Sequence, residues 1–267
     1  MKIGALIPIR LASERLPGKA LMDLCGRPVF AHLLDRVSRC KHIDSLKDVV
    51  VCTTGDTSDD ALEDAVREYG ASIFRGSTDD IIDRFGAAMA QFDFDLVVQA
   101  DGDDPLSATE YMDLAVDKLL ATPGADIVTV KGLPLGTATK CFTKAAMRKV
   151  LSFYKTEKND TGFIYFFTKT GLCNHVEISP VSQNHVHDAA RLTLDYEVDL
   201  ALFRRIFGAL YKPDEIFSLN QVVRYLREHP NYAKSNLSVE TEYWQRTAEK
   251  ADLKFTAKNG EIQIVPI

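Results

Sequence analysis

The sequence predicts an α/β fold: a mostly parallel sheet with helices on both faces and a C-terminal elaboration. Two observations predict it. Short apolar or β-branched runs recur at residues 3–7, 48–52, 71–74, 96–100 and 126–130. Helical segments of about 10–15 residues separate them, the alternation of a sheet built from strand–helix–strand crossovers. In addition, cations collect after the first run and acids after the fourth. That suits a sheet whose strand ends converge on one binding crevice.

The first run, Ile3-Gly4-Ala5-Leu6-Ile7, is uniformly apolar, as in a strand buried on both faces, and it breaks at Pro8. Helical apolar spacing over residues 29–37 follows Gly26-Arg27-Pro28, and Pro28 suits a first helical position. Residues 48–52 form the second strand. Thr57 or Ser58 caps a helix running to Tyr69, with Asp59 and Asp60 at its positive end. The third strand, 71–74, precedes a helix over about 79–92, capped by Thr78 or Asp79. The fourth strand, 96–100, precedes a helix near 110–120 and a strand near 126–130.

Beyond that the pattern is less regular. It reads as a turn at Pro134-Leu135-Gly136, a helix over 144–153, an aromatic strand-like run over 162–168, a strand over 191–195, and amphipathic helices over 198–207 and 219–227. Asn259-Gly260 between two apolar segments is a strong hairpin signal. With no repeat or linker, the expected division is a main domain over 1–235 and a helix-and-hairpin extension over 236–267.

At 267 residues, with 46% hydrophobic and 26% charged content, the chain has ordinary globular composition. Its net charge of −6 provides no basic field for nucleic acid or an anionic membrane. An anionic ligand must therefore be held by local cations. The five cysteines, Cys25, Cys40, Cys52, Cys141 and Cys173, include no Cys-x-x-Cys pair, which implies free thiols in a reducing compartment. No apolar run approaches the ~18 residues needed to span a membrane. The N-terminus enters a strand without a signal-peptide pattern, so the expected location is cytoplasmic.

Three constellations carry candidate chemistry. The loop after the first strand brings Arg10, Arg15 and Lys19 together with Pro17-Gly18. Guanidinium groups grip phosphate oxygens bidentately, a lysine adds a mobile point charge, and Gly18 permits close backbone approach. The spacing is neither that of a P-loop nor that of a dinucleotide fingerprint; the competing reading is a solvated basic loop. The second constellation is Asp101-Gly102-Asp103-Asp104, whose hard oxygens suit Mg²⁺, or alternatively cap a helix. The third is Asp195, which can meet Asp103 across a metal if both lie at strand ends; Asp199 reads as a first-turn helix acid. Arg75 ends the third strand at the same edge and is a nucleotide contact by position. His185 and His187 share a strand face but lack a third soft ligand nearby.

The stretches IPIRLASERLPGKALMDLCGRPVFAHLLDRV, FRGSTDDIIDRF, LVVQADGDDPL and ARLTLDYEVDL together resemble the cytidylyltransferases that make CMP-activated acidic sugars. That group includes the CMP-KDO and CMP-sialic acid synthetases, and the resemblance is strongest to its spore-coat polysaccharide branch. It implies a Rossmann-like sheet of the nucleotide-diphospho-sugar transferase type, Mg²⁺ as cofactor, and transfer of CMP from CTP with release of pyrophosphate. The implied acceptor is a small acidic sugar or phosphate, and the implied assembly a homodimer. By position, Arg10, Arg15 and Lys19 would hold the phosphates, with the Ala5, Leu6 and Pro8 backbone near the base. Asp103 and Asp195 would hold Mg²⁺, and Gln99 would lie near the ligand.

The chain departs from the KDO branch in three places. It has Gly102-Asp103-Asp104-Pro105 for Gly-Asp-Glu-Pro, Arg75 to Asp80 for Ser-Gly-Thr-Glu-Arg, and Asn159-Asp160-Thr161 for the usual Glu-His-Val-Thr. KDO is therefore not the expected acceptor. The competing functions are a glycosyltransferase using Asp101-Gly102-Asp103 as an Asp-x-Asp pattern, and a non-catalytic nucleotide-binding protein.

Overall fold

The computed structural model describes residues 1–155, 162–249, 252–257 and 259–266; Asn159-Asp160-Thr161 lie outside the described residues. The first half follows the expected alternation: β1 (Ile3–Pro8), a small ribbon of β2 (Asp23–Leu24) and β3 (Arg27–Pro28), α1 (Val29–Val37), β4 (Val49–Thr54), α2 (Asp60–Tyr69), β5 (Ser72–Gly76), α3 (Ile81–Gln91), β6 (Leu96–Gln99), α4 (Thr109–Ala121) and β7 (Ile127–Val130). The second half adds β8 (Lys140–Thr143), α5 (Lys144–Phe153), α6 (Ile164–Thr168), β9 (His175–Ile178), α7 (Glu197–Leu210), α8 (Leu219–Glu228), α9 (Pro230–Ala233), α10 (Glu240–Glu249) and the hairpin β10 (Asp252–Thr256) and β11 (Ile262–Pro266).

The main sheet has seven strands in the order β5-β4-β1-β6-β8-β7-β9. Strand β8 runs antiparallel to both of its neighbours, and the other pairings are parallel. Alternation along β1 sends Ala5 and Ile7 to one face and Leu6 to the other. Ala5 and Ile7 pack with Phe30, Leu34, Val66 and Val116 from α1, α2 and α4. Leu6 packs with Phe85, Met147 and Phe167 from α3, α5 and α6, and Leu253 and Phe255 of β10 enter this second core. The α7–α8 pair forms a third core with Leu192, Leu194, Phe203, Phe207 and Leu226, beneath the loop that carries Leu16.

Several local expectations change. Residues 162–168 contain the helix α6 rather than a strand, because Phe163, Phe166 and Phe167 have the i, i+3, i+4 spacing of one helical face and all three are buried. Residues 191–195 are extended but do not join the sheet; Leu192 N donates to Leu135 O at 2.7 Å, and Leu194 N to Asp103 O at 2.8 Å. Asp80, not Thr78 or Asp79, caps α3 by accepting from Ile82 N and Asp83 N. Asp56, not Thr57 or Ser58, caps the turn that leads into α2. His185 closes a 3₁₀ turn rather than lying on a strand, and its Nδ1 meets the Tyr111 hydroxyl at 2.9 Å. All five cysteines are free, and no helix among the described residues is long and apolar enough to cross a membrane.

Candidate active site

Strands β1 and β6 are parallel neighbours, so their C-terminal ends open on the same edge of the sheet. There a cleft of about 450 Å³ is lined by Arg10, Arg15 and Lys19, by Asp101, Gly102, Asp103 and Asp104, and by Thr193 and Asp195. Gly102 makes the convergence possible: a Cβ at this position would stand 2.2 Å from Pro8 O. The acidic loop therefore lies directly against the end of β1.

Lysine 19 is the hub. Its Nζ donates to Asp103 Oδ2 at 2.9 Å, Asp195 Oδ1 at 3.1 Å and Leu194 O at 2.6 Å. Arg15 Nη2 donates to the same Asp195 oxygen. The cationic loop and the two acids are thus one network rather than two opposed walls. Burial lowers the Lys19 ammonium's pKa, but Asp103 and Asp195 outweigh it and the net direction is upward, so Lys19 stays charged. Burial also opposes ionisation of Asp103, and the charge and hydrogen bond of Lys19 overcome it, holding this carboxyl below its ordinary value. Burial and then the neighbouring Asp103 push Asp195 upward.

Asp195 is held from behind. Arg191 Nη2 donates to its Oδ2 at 3.0 Å, and Asp199 Oδ2 accepts from the backbone nitrogens of Asp195 and Tyr196, both at 2.9 Å. Asn236 Nδ2 in turn donates to Asp199 Oδ1 at 2.7 Å. Asp199 is the first-turn helix acid it was expected to be, with the added role of fixing the backbone under Asp195. Arg191, Asp195 and Asp199 are essentially inaccessible to solvent, so each charge depends on this pairing.

The sequence points neither to Lys140 in the cleft nor to Asp59 behind it, and Asp104, one of the acids of the second constellation, is found buried in the cleft wall. Lys140 ion-pairs with Asp101. It reaches the strand-end edge because β8 is antiparallel, which places its first residue opposite Gln99, the last of β6. Asp104 is buried beside Asp103 and Asp101; burial first, then those two charges, push its carboxyl well up. Asp59, read as a helix-end acid, is buried and accepts from Leu11 N at 2.7 Å and from Thr53 and Thr54, tying the cationic loop to the end of β4. The polar residue after an apolar strand, Thr53-Thr54 near Asp59, was the available signal for that tie.

Other candidates lie elsewhere. The Arg75 guanidinium is engaged by Asp60 at 2.6 Å, Glu63 at 2.9 Å and the Thr54 and Asp56 carbonyls, and it does not line the cleft. Gln99 is fully buried and donates to Asp101 Oδ1 at 2.8 Å, which makes it a support of the acidic loop. Ala5 and Leu6 are buried within β1, whereas Pro8 at its end lines the cleft. His185 and His187 do not line it.

Among the described residues no group of three or more His, Cys, Asp or Glu side chains forms a protein-only metal cage. Asp103 and Asp195 nevertheless fit Mg²⁺: two hard carboxylates already converge on one cation, the Lys19 ammonium. Mg²⁺ is commonly held by one or two carboxylates together with substrate phosphates and water.

The chain is similar to known proteins in sequence and in fold. Residues 4–258 match the family model described as cytidylyltransferase. An uncharacterized protein of Methanocaldococcus jannaschii is 29% identical over 93% of this chain and 100% of its own length. The 3-deoxy-manno-octulosonate cytidylyltransferase of Trichlorobacter lovleyi is 26% identical over 91% of this chain and 92% of its own. Among solved structures, a cytidylyltransferase from Leptospira borgpetersenii superposes with a TM-score of 0.78 at 25% identity, covering 88% of this chain and 97% of that one.

Proposed function

The chain belongs to the cytidylyltransferase family and is a nucleotidyltransferase; from that premise we propose that it transfers CMP from CTP to a small acidic sugar or related phosphate acceptor, with Mg²⁺ as its resident ion. The observation that supports this most is the Lys19 hub, which joins a triphosphate-type cation loop to two metal-type acids at the end of the central strands.

In the proposed reaction Arg10, Arg15 and Lys19 hold the β- and γ-phosphates. An acceptor oxygen forms a bond to the α-phosphorus while the bond to the bridging oxygen breaks, and pyrophosphate leaves on the side of these cations. Such transfer rests on positioning and charge neutralisation. Asp103 and Asp195 would hold Mg²⁺, which would supply Lewis-acid charge neutralisation at the phosphates. Arg191, Asp199 and Asn236 keep Asp195 in place, and Gly102 sets the depth of the acidic loop. The acceptor's proton passes to solvent.

The Asp-x-Asp reading is less well supported: Asp103 shares its cation with Asp195, whereas Asp101 pairs separately with Lys140. Residues 1–235 are taken as the nucleotidyltransferase domain and 236–267 as its extension, in a cytoplasmic homodimer. Replacing Asp103 with Asn should abolish Mg²⁺-dependent pyrophosphate release while the unfolding transition is retained. Unchanged turnover in that variant removes the metal assignment.

A further inference from the structure

The C-terminal helix α10 lies outside the strand–helix alternation, yet Tyr243, Trp244 and Arg246 line the same cleft as Arg15, Lys19 and Asp195. Tyr243 and Arg246 are three residues apart and so share a helix face. Both reach consecutive residues of the cationic loop. The Tyr243 ring centroid is 5.7 Å from Arg15 Cζ, and Arg246 Nη2 donates to Glu14 Oε2 at 2.6 Å.

Arg15 has a second aromatic neighbour. The Arg15 guanidinium also faces the Tyr196 ring at 5.0 Å, while its Nη2 is fixed on Asp195. The Tyr243 ring covers Arg191 as well, 4.3 Å from its Cζ. One ring therefore spans the guanidinium that meets the ligand and the guanidinium that anchors Asp195 from behind. A guanidinium held by an aromatic face and a carboxylate loses little further freedom when it binds a phosphate. The Glu14–Arg246 pair is half-exposed and adds little by itself, but it is a second contact between this helix face and the loop.

We propose that Tyr243 is a positioning residue for the triphosphate grip: α10 braces the cationic loop by seating this ring on Arg15, which makes the C-terminal extension part of nucleotide binding. The proposal rests on the reading that Arg15 holds the β- and γ-phosphates.

The test is calorimetric titration of the full-length protein with CTP, inorganic pyrophosphate and CMP. Tyr243→Leu removes the π face and keeps apolar bulk, and Tyr243→Phe retains the ring. The Leu variant should bind CTP and pyrophosphate about 3- to 10-fold more weakly, the size of a partly desolvated cation–π contact. Its CMP affinity should match that of the unaltered protein, and the Phe variant should restore CTP affinity. In an Arg15→Ala background, adding Tyr243→Leu should cost clearly less than it does alone, because the ring acts in large part through that guanidinium. Equal loss of CMP and CTP binding, unaltered CTP binding, or additive effects of the two substitutions would each overturn the proposal. If the unaltered protein binds neither CTP nor pyrophosphate, the nucleotide reading of the cleft fails first, an outcome separate from any behaviour of the Tyr243 variants.

Discussion

Gly102→Ala isolates the geometry of the acidic loop from its chemistry, because no charge or ligand atom is removed. The added Cβ would stand 2.2 Å from Pro8 O, 2.5 Å from Ile9 Cγ1 and 3.1 Å from Pro8 C. Pro8 ends the central strand and Ile9 N donates to Cys52 O, so the neighbours cannot simply rotate away. Restoring ordinary contact requires the loop to retreat by about 1 Å, a displacement that can cost about 10²-fold in rate when it misplaces reacting groups. The shift reaches both acids, since Asp103 O accepts from Leu194 N, next to Asp195. Overpacking of this kind costs about 1–3 kcal/mol in stability.

Denaturant unfolding and CTP-dependent pyrophosphate release should therefore show a modest stability loss with a large loss of turnover. Gly4→Ala is the matched control. Its Cβ would meet the Phe94 ring at 2.2 Å, in the core beneath the sheet, so it should lower stability without a comparable fall in kcat. Turnover of Gly102→Ala within a few-fold of the unaltered enzyme would refute the argument that this close approach sets the site.

Two further perturbations address charge. Lys19→Ala removes the cation between Asp103 and the buried Asp195, and breaking such a pair costs about 3–5 kcal/mol. Millimolar Mg²⁺ should raise the Tm of this variant more than that of the unaltered protein; equal shifts would contradict a shared cation position. Acid titration addresses the histidines. Burial, the largest cause in each case, depresses the pKa of His32, His175 and His187, with Arg27 and Arg36 adding to the effect at His32. Each ring takes up a proton less readily in the fold than in the unfolded chain, so as pH falls below about 6.5 protonation favours the unfolded chain. Stability should be full above that pH and decline below it. A urea midpoint unchanged between pH 7 and pH 5.5 would contradict this.

What the sequence disclosed follows from where periodicity is unambiguous. β1, β4, β6 and the helices between them are apolar runs or faces bounded by turn residues, and they are found within one or two residues of expectation. The arrival of the cationic loop and Asp103 at one edge was also legible, because β1 and β6 are parallel neighbours whose ends share it. Asp195 arrives differently from expected, on an extended segment bonded to loop carbonyls rather than on a ladder strand.

Lys140 was hidden because the four-residue strand β8 that carries it was itself not anticipated, and only its antiparallel pairing brings its first residue to that edge. Arg75 shows the converse. It ends a parallel strand, but β5 is the outermost strand of the sheet, and the acids of neighbouring α2 capture its guanidinium. Tyr243 lies about 230 residues from the loop it touches, and no local pattern encodes a contact of that span.

The account is tested most directly by pyrophosphate release measured with CTP, ATP, GTP and UTP against a panel of acidic sugars and small phosphates, with and without Mg²⁺. It predicts release that needs CTP, Mg²⁺ and one acidic acceptor together, with CMP recovered on that acceptor. Release from no nucleotide with any acceptor, or sugar transfer without pyrophosphate, would contradict it.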